Sequence, residues 1–211
     1  MAVSDVPDGS QLFDCYAPLT PASLLRLTAA VYQGRGFRGC GRYLETLSRD
    51  EIALIKSHNL GLFTVGVAHS DSMHAPSADL GKRDGERHAG LLLALGVERG
   101  VTHVLDVEGT TSASTNDVIT YINAWATAMR GSDPSASLCL YEGWGIPLSS
   151  DQLYGALIPS LYWASSPHSL APAKRGFAIC QVIENITIAG IQVDVDVANA
   201  DHLGGRIRWQ I

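Results

Sequence analysis

The chain has 211 residues, of which 46% are hydrophobic and 17% charged, with a net charge of −6. That suits one compact soluble domain. It offers no Lys/Arg-rich run for nucleic acid, and no apolar run near the roughly 20 residues that span a bilayer.

Residues 1–11 read as a flexible polar arm, leaving 12–211 as a single domain. Leu12 to Ala17, LFDCYA, reads as a first strand with Asp14 and Tyr16 on one face. Thr20-Pro21 opens a helix, with threonine as N-cap and proline at the first position. Leu24, Leu27 and Val31 form its apolar stripe, and Gly34 and Gly36 end it. Gly39 to Leu44, containing Tyr43, is a second strand, and Ser48 to Glu51 reads as a capping box for a second helix. Leu62 to His69 is a third strand, followed by a polar loop over 70–77 and a helix to Leu95 that Gly96 terminates. Thr102 to Gly109, THVLDVEG, is a buried strand whose alternation sends Leu105 and Val107 one way and Asp106 and Glu108 the other. A helix follows over about Asn116 to Met129, with apolar residues at three- and four-residue steps. Ser137 to Tyr141 is a fifth strand leading to Glu142 and Trp144, and Ser149 to Tyr154 a helical turn. Ser160 to Ala164, Phe177 to Ile183 and Ile191 to Val197 are three further strands whose connections leave little room for helices.

About five strand–helix units followed by three strands point to an α/β fold with a largely parallel sheet. Eight strands close a barrel, so an irregular TIM-like barrel is expected. The alternative is an open doubly wound sheet, but neither G-x-G-x-x-G nor G-x-x-x-x-G-K-[ST] follows any strand. In a parallel barrel the active site forms where the strands end. Asp14, Asp106, Glu108, Asp194 and Asp196 are expected on that face, the first and last strands side by side and the fourth across from them. Such a constellation suits glycoside hydrolysis, which needs one protonated and one ionised carboxyl. Tyr16, Tyr43, Trp144, Tyr162 and Trp163 lie near strand ends, where rings can stack on sugars.

Other chemistries have less behind them. Cys15, Cys40, Cys139 and Cys180 lack C-x-x-C spacing and read as buried reduced thiols. Alternation turns Cys15 away from Asp14. Clustered acids also suit Mg²⁺ or Ca²⁺, and His69, Asp71 and His74 in HSDSMH extend that alternative toward zinc. Their spacing is not H-E-x-x-H, however, and no metal or cofactor is expected. No G-x-S-x-G occurs for a serine hydrolase.

The segments LFDCYAP, GRYLETLSRDEIALIKSHNLGLF, DGERHAGLLLALGV, HVLDVEG and CQVIENITIAGIQVDVDVAN together resemble the glycoside hydrolase-like domains of unknown function related to family 25 lysozymes. The resemblance runs from Leu12 to about Asn199. It implies a barrel of five strand–helix units plus three strands, acting on bacterial peptidoglycan between N-acetylmuramic acid and N-acetylglucosamine with retention of configuration. It makes Glu108 the general acid and Asp106 its partner. Asp14 matches the first-strand aspartate, Asp194 the aspartate of V-D-L-N with Asp196 at its asparagine, and Gln181 the glutamine of W-Q-Y. Cys180 and Val182 depart from that W-Q-Y pattern, and a non-catalytic glycan-binding or structural module is the alternative. The N-terminus has neither the basic region nor the apolar core of a secretory signal. Synthesis in the cytoplasm is therefore expected, with action on the wall after release by phage lysis or non-classical export.

Overall fold

The computed structural model of the protein describes residues 2–69, 74–110, 112–165, 169–188 and 190–211. The elements begin with β1 (Val3–Asp5), β2 (Ser10–Cys15), α1 (Pro21–Ala29) and the small hairpin β3 (Val31–Tyr32) and β4 (Arg35–Gly36). Next come β5 (Gly39–Tyr43), α2 (Arg49–Ser57), β6 (Gly61–Val67), α3 (Ala78–Leu95), β7 (Thr102–Val107) and α4 (Thr115–Ser132). The chain ends with β8 (Ser137–Glu142), α5 (Ser150–Gly155), β9 (Leu161–Ala164), β10 (Ile179–Ile188), β11 (Ile191–Ala198) and β12 (Arg208–Gln210).

Eight of these strands close the expected α/β barrel. β2, β5, β6, β7, β8, β9 and β10 run parallel. β11 turns back from β10 and seals the barrel antiparallel to β2. Among the described residues, five helices interleave with the first six barrel strands and none separates β9, β10 and β11. Most helix starts follow from the chain: Thr20, Ser48, Ser77, Ser114 and Ser149 each accept a hydrogen bond from the first turn. Gly96 ends α3 at φ 73°, a backbone conformation that glycine adopts without a steric cost. The first helix stops earlier than Gly34, at Ala29, because the chain turns there into the β3–β4 hairpin.

Two expectations are corrected. The arm assigned to residues 1–11 is partly in the sheet: Val3 to Asp5 pair with Arg208 to Gln210, and β2 starts at Ser10. This pairing joins the two ends of the chain, which no local pattern could announce. The last strand does not deliver its acids from a C-terminal end. Running antiparallel, it carries Asp194 opposite Asp14, and Asp196 one step deeper opposite Leu12.

The packing is in three parts. Inside the barrel, Leu12, Phe63, Val65, Val104, Cys139, Leu161 and Ile179 fill the lower half. Trp209 closes the floor against Gly39 and Gly61, at either of which a Cβ would collide with the indole. Outside, Leu105, Val107, Leu138 and Leu140 are covered by Ala89 and Leu92 of α3 and by Tyr121, Ile122, Trp125 and Met129 of α4. On the other side, α1 and α2 cover Phe13, Cys40, Leu62 and Val195 with Leu24, Leu27, Ile52 and Ile55.

A buried ion pair lies under this second wall. Arg42, on the outer face of β5, is fully buried and donates from Nε to Glu51 Oε1 at 2.7 Å and from Nη1 to Cys15 Sγ at 3.3 Å. Glu51 also accepts from the Leu19 amide at 3.2 Å. Ser48 caps α2 as expected, but the Glu51 carboxylate turns inward to Arg42 and Leu19. Removing one partner of such a pair leaves an uncompensated buried charge, at a cost of about 3–5 kcal/mol. Glu51→Ala should lower the free energy of urea unfolding by about that much. A loss of only a few tenths would show the pair to be dispensable.

Candidate active site

The barrel mouth collects the acids. On β7, Val104 and Asp106 face inward and Glu108 continues that side beyond the strand, while Leu105 and Val107 face the outer helices. On β2, Asp14 alternates inward with Leu12, and Cys15 faces outward to Arg42. On β11, Asp194 and Asp196 share the inward face, as their pairing with Asp14 and Leu12 requires. Four strands apart around the barrel, β7 and β11 set Glu108 and Asp194 on opposite sides of the mouth, within electrostatic reach of one another.

Each carboxyl has its own partners. The Tyr43 hydroxyl is hydrogen-bonded to Asp106. The Trp144 backbone N–H donates to the Glu108 carboxylate, and Gly143 lies so close to Glu108 that a Cβ there would overlap it. Asp194 is held at both oxygens. Gln181 Nε2 donates to Oδ2 at 2.7 Å and the Asn185 amide to Oδ1 at 2.5 Å. The amide of Gln181 is itself oriented by Tyr141, whose hydroxyl donates to Oε1 at 2.9 Å. Asn185 sits at φ 56° beside a register shift in β10, which aims its N–H at the carboxylate. Asp196 accepts from Trp163 Nε1 at 3.0 Å. The Asp14 and Asp196 carboxyls lie within hydrogen-bonding reach of each other, so that a proton on one can bridge to the other. Oδ2 of each is buried with no hydrogen-bond donor among the described residues.

Burial and mutual repulsion push these groups upward. Burial raises Asp14 to about 7, with the Asp194 charge adding to it. Burial raises Asp106 well above the usual carboxylate range, helped by Glu108, Asp14 and Glu45. Asp196 is also well raised, by burial and then by Asp14. Glu108 is raised by burial, against the Trp144 N–H, with Glu184 and Asp194 adding repulsion. Asp194 is raised by burial in spite of its two donors. The cluster therefore retains protons near neutral pH, as a site needing both a proton donor and a carboxylate requires.

The aromatic residues divide. Tyr16 is 56% exposed and packs on Tyr43 with ring centroids 5.3 Å apart. Trp144 is 63% exposed at the rim beside Glu108. These three line or flank the mouth. Trp163 is buried beneath it, edge-on to Tyr141 and Phe63, and serves Asp196 rather than a ligand. Tyr162 does not reach the site: alternation turns it outward, where it is buried against α5 with its hydroxyl on the Leu153 carbonyl. Cys180, too, alternates outward from Gln181, so this departure from W-Q-Y leaves the inner lining intact.

Sequence reading missed Tyr141, Asn185, Glu184 and Glu45. Only Tyr141 had a usable signal, its two-residue spacing from the inward Cys139. Of the HSDSMH alternative, Asp71 lies outside the described residues. Among the described residues no group of three or more His, Cys, Asp or Glu side chains is arranged to hold a metal ion, and no helix is long and apolar enough to cross a membrane. The cysteines are free thiols, three buried and Cys180 half-buried.

Comparison with solved structures finds the same barrel elsewhere. An uncharacterized B. stearothermophilus protein superposes with a TM-score of 0.70 at 16% identity, covering 90% of this chain and 96% of that one. The Mycobacterium tuberculosis Tat-secreted protein Rv2525c, solved with L-tartrate, gives 0.65 at 16% identity, covering 90% and 95%. The modular autolysin LytC from Streptococcus pneumoniae gives 0.62 at 12% identity, covering 90% of this chain and 47% of that one. At these identities the likeness is one of fold, and no curated protein matches by sequence. The family model of the Rv2525c-like, glycoside hydrolase-like domain matches residues 29–141, more than half the chain, and the protein belongs to that family.

Proposed function

We propose that the protein is a glycoside hydrolase that cleaves the glycan of bacterial peptidoglycan, acting as an N-acetylmuramidase. The observation that carries this reading is the placement of Glu108 and Asp194 on opposite sides of one mouth, with Asp106, Asp14 and Asp196 beneath them. Glu108 has one backbone donor and is raised by burial, so it holds a proton for the leaving oxygen. Asp194 is fixed at both oxygens and meets the positive charge that develops on the sugar as the bond breaks. Asp106, buried beneath Glu108 and raised well above the usual carboxylate range, holds its proton and leaves the charge of the pair to Glu108 once that group has given its proton away. The Asp14–Asp196 pair, by sharing a proton, carries one charge rather than two and limits repulsion against Asp194. Water completes the reaction, adding to the sugar and returning a proton to Glu108. Tyr16, Tyr43 and Trp144 supply ring faces for sugars, and Gln181 positions Asp194. The LytC autolysin, solved with a synthetic peptidoglycan ligand, carries the same barrel, which supports a glycan in this cleft.

A second reading is a glycan-binding module without turnover. Val182, which replaces the expected tyrosine, is 44% exposed at the irregularity in β10 and leaves that rim without an aromatic ring. The site would then bind glycan and release nothing.

Three outcomes test these readings. Glu108→Gln should reduce release of new muramic-acid reducing ends from purified peptidoglycan by about 10²–10⁴-fold, with an unchanged melting curve; parent-rate cleavage by this variant would sink the assignment. No release by the folded parent, with saturable binding, would favour the second reading. The pH–rate profile should fall on its alkaline side as Glu108 loses its proton, and on its acid side as Asp194 gains one. Each limb should lie above the ordinary value of its own group, because both groups are raised; a maximum at or below about pH 4 would contradict this. Stability follows the same carboxyls. Asp14 binds its proton more tightly when folded, so its contribution is full at low pH and is lost as pH rises from its ordinary 3.8 toward about 7. Asp14→Asn should therefore gain stability over the parent on moving from about pH 5 to about pH 7.5, by on the order of 2 kcal/mol in urea unfolding. A difference independent of pH would show that Asp14 is not raised.

A further inference from the structure

Beside the catalytic acids lies a cavity of about 340 Å³, lined by Asp14, Tyr16, Tyr43, Asn185, Gln192 and Asp194 among others. That is the lower end of small-ligand clefts, roughly 300–1,000 Å³. Its chemistry is one-sided. Two of its walls are carboxyls and two are phenol rings, and no lysine or arginine is among the residues that line it. The carboxylate of Asp194 is fully supplied with donors, but that of Asp14 is not. Asp14 is buried, lines the cavity with the Asp196 carboxyl beside it, and its Oδ2 has no N–H donor among the described residues. The guanidinium that does act on it, Arg42, stands behind the barrel wall, tied to Glu51. Glu184 adds negative charge at the rim. A concave site of one sign concentrates counter-ions from solution, and phenol faces attract a cation held over them. Neutral hydroxyls or an acetamido group would leave the single charge of the Asp14–Asp196 pair unanswered. An ammonium brings both the charge and the N–H donors that Asp14 lacks.

We propose that this cavity is a subsite for an amino sugar whose 2-amino group is free, so that the protein recognises de-N-acetylated stretches of glycan. The ammonium sits between Asp14 and Asp194, with the sugar ring against Tyr16 and Tyr43. Asn185 and Gln192, already joined side chain to side chain at 2.8 Å across the β10–β11 hairpin, form the outer edge. The cavity shares Asp14 and Asp194 with the proposed active site, which makes a sugar of the same chain its natural occupant rather than the amine of an attached peptide. The inference rests on the reading of the cleft as a glycan site, and it adds a preference that the reading alone does not contain.

The test is calorimetric titration of the full chain with a glucosamine pentamer and with its fully N-acetylated counterpart, at low and at high salt. The amine form should bind about tenfold tighter, and added salt should narrow the gap. Asp14→Asn should abolish the preference. Tyr16→Ala, a change at a largely exposed position, should weaken the amine form several-fold and provides a second readout should the Asp14 variant fail to fold. Equal affinity for the two pentamers, tighter binding of the acetylated one, or a preference that survives Asp14→Asn would each overturn the proposal. So would binding of a free lysine-containing stem peptide in preference to the glucosamine pentamer. Cleavage assays on peptidoglycan before and after chemical N-acetylation separate the two levels. Cleavage with no loss on acetylation defeats the amine subsite and leaves the hydrolase standing. No cleavage of either substrate, with the binding preference intact, defeats the hydrolase and leaves an amino-sugar binding site.

Discussion

The organising constraint in this protein is the crowding of five carboxyls at one barrel mouth above an apolar floor. The lower barrel is filled by Leu12, Phe63, Val65, Val104 and Ile179 and closed by Trp209. A dry floor beneath a ring of strands denies Asp14, Asp106 and Asp196 the hydration that charged groups need. Each responds by holding a proton more tightly or by recruiting a donor. The phenol of Tyr43, the indole of Trp163, the amide of Gln181 and the bent backbone at Asn185 are all arranged around that demand. The aliphatic core thus acts on the chemistry as well as on stability, because it sets the medium in which the acids titrate.

The second determinant is the reversal of one strand. In a barrel of uniformly parallel strands, each contributes mainly its last residues to the mouth. β11 enters from the other direction, so the middle of the strand passes the mouth, with Asp194 beside Asp14 and Asp196 below them. Two acids from one strand then sit at different depths in different surroundings. The upper one has two donors and a view of the cleft. The lower one has an indole and the Asp14 carboxyl beside it. The tight β10–β11 hairpin also brings Asn185 and Gln192 to the edge of the same cleft.

Much of this was legible in the residues, for reasons of period. Alternation alone separated Asp106 and Glu108 from Leu105 and Val107, and turned Cys15 from Asp14. Eight strands spaced with helices between the first six implied closure, because an open sheet would have left two long edges unpaired. What stayed hidden depends on distant partners. The direction of β11 is set by a hairpin whose sense its own residues do not encode. Val3 to Asp5 look polar and loose until Arg208 to Gln210 arrive beside them. Glu51 has the spacing of a capping residue, and only the tertiary fold turns its carboxylate to Arg42. Tyr162 and Trp163 are neighbours in sequence with equal claims to a sugar. The pleat sends one to the helices and the other under the acids, and neither reaches the surface of the cleft.

The pairing of β1 with β12 has a topological consequence. Val3 lies opposite Gln210, and Ile211 donates its amide to the Ala2 carbonyl at 3.2 Å, so the two ends of the chain meet beside the floor. Both therefore leave the molecule from the end of the barrel opposite the mouth. A tether to a surface, or a fused reporter at either end, would hold the cleft facing outward and unobstructed. The same closeness allows the ends to be joined by a short peptide and the chain to be opened elsewhere on its surface, for instance at the β3–β4 hairpin, giving a circularly permuted barrel with its order of strands preserved.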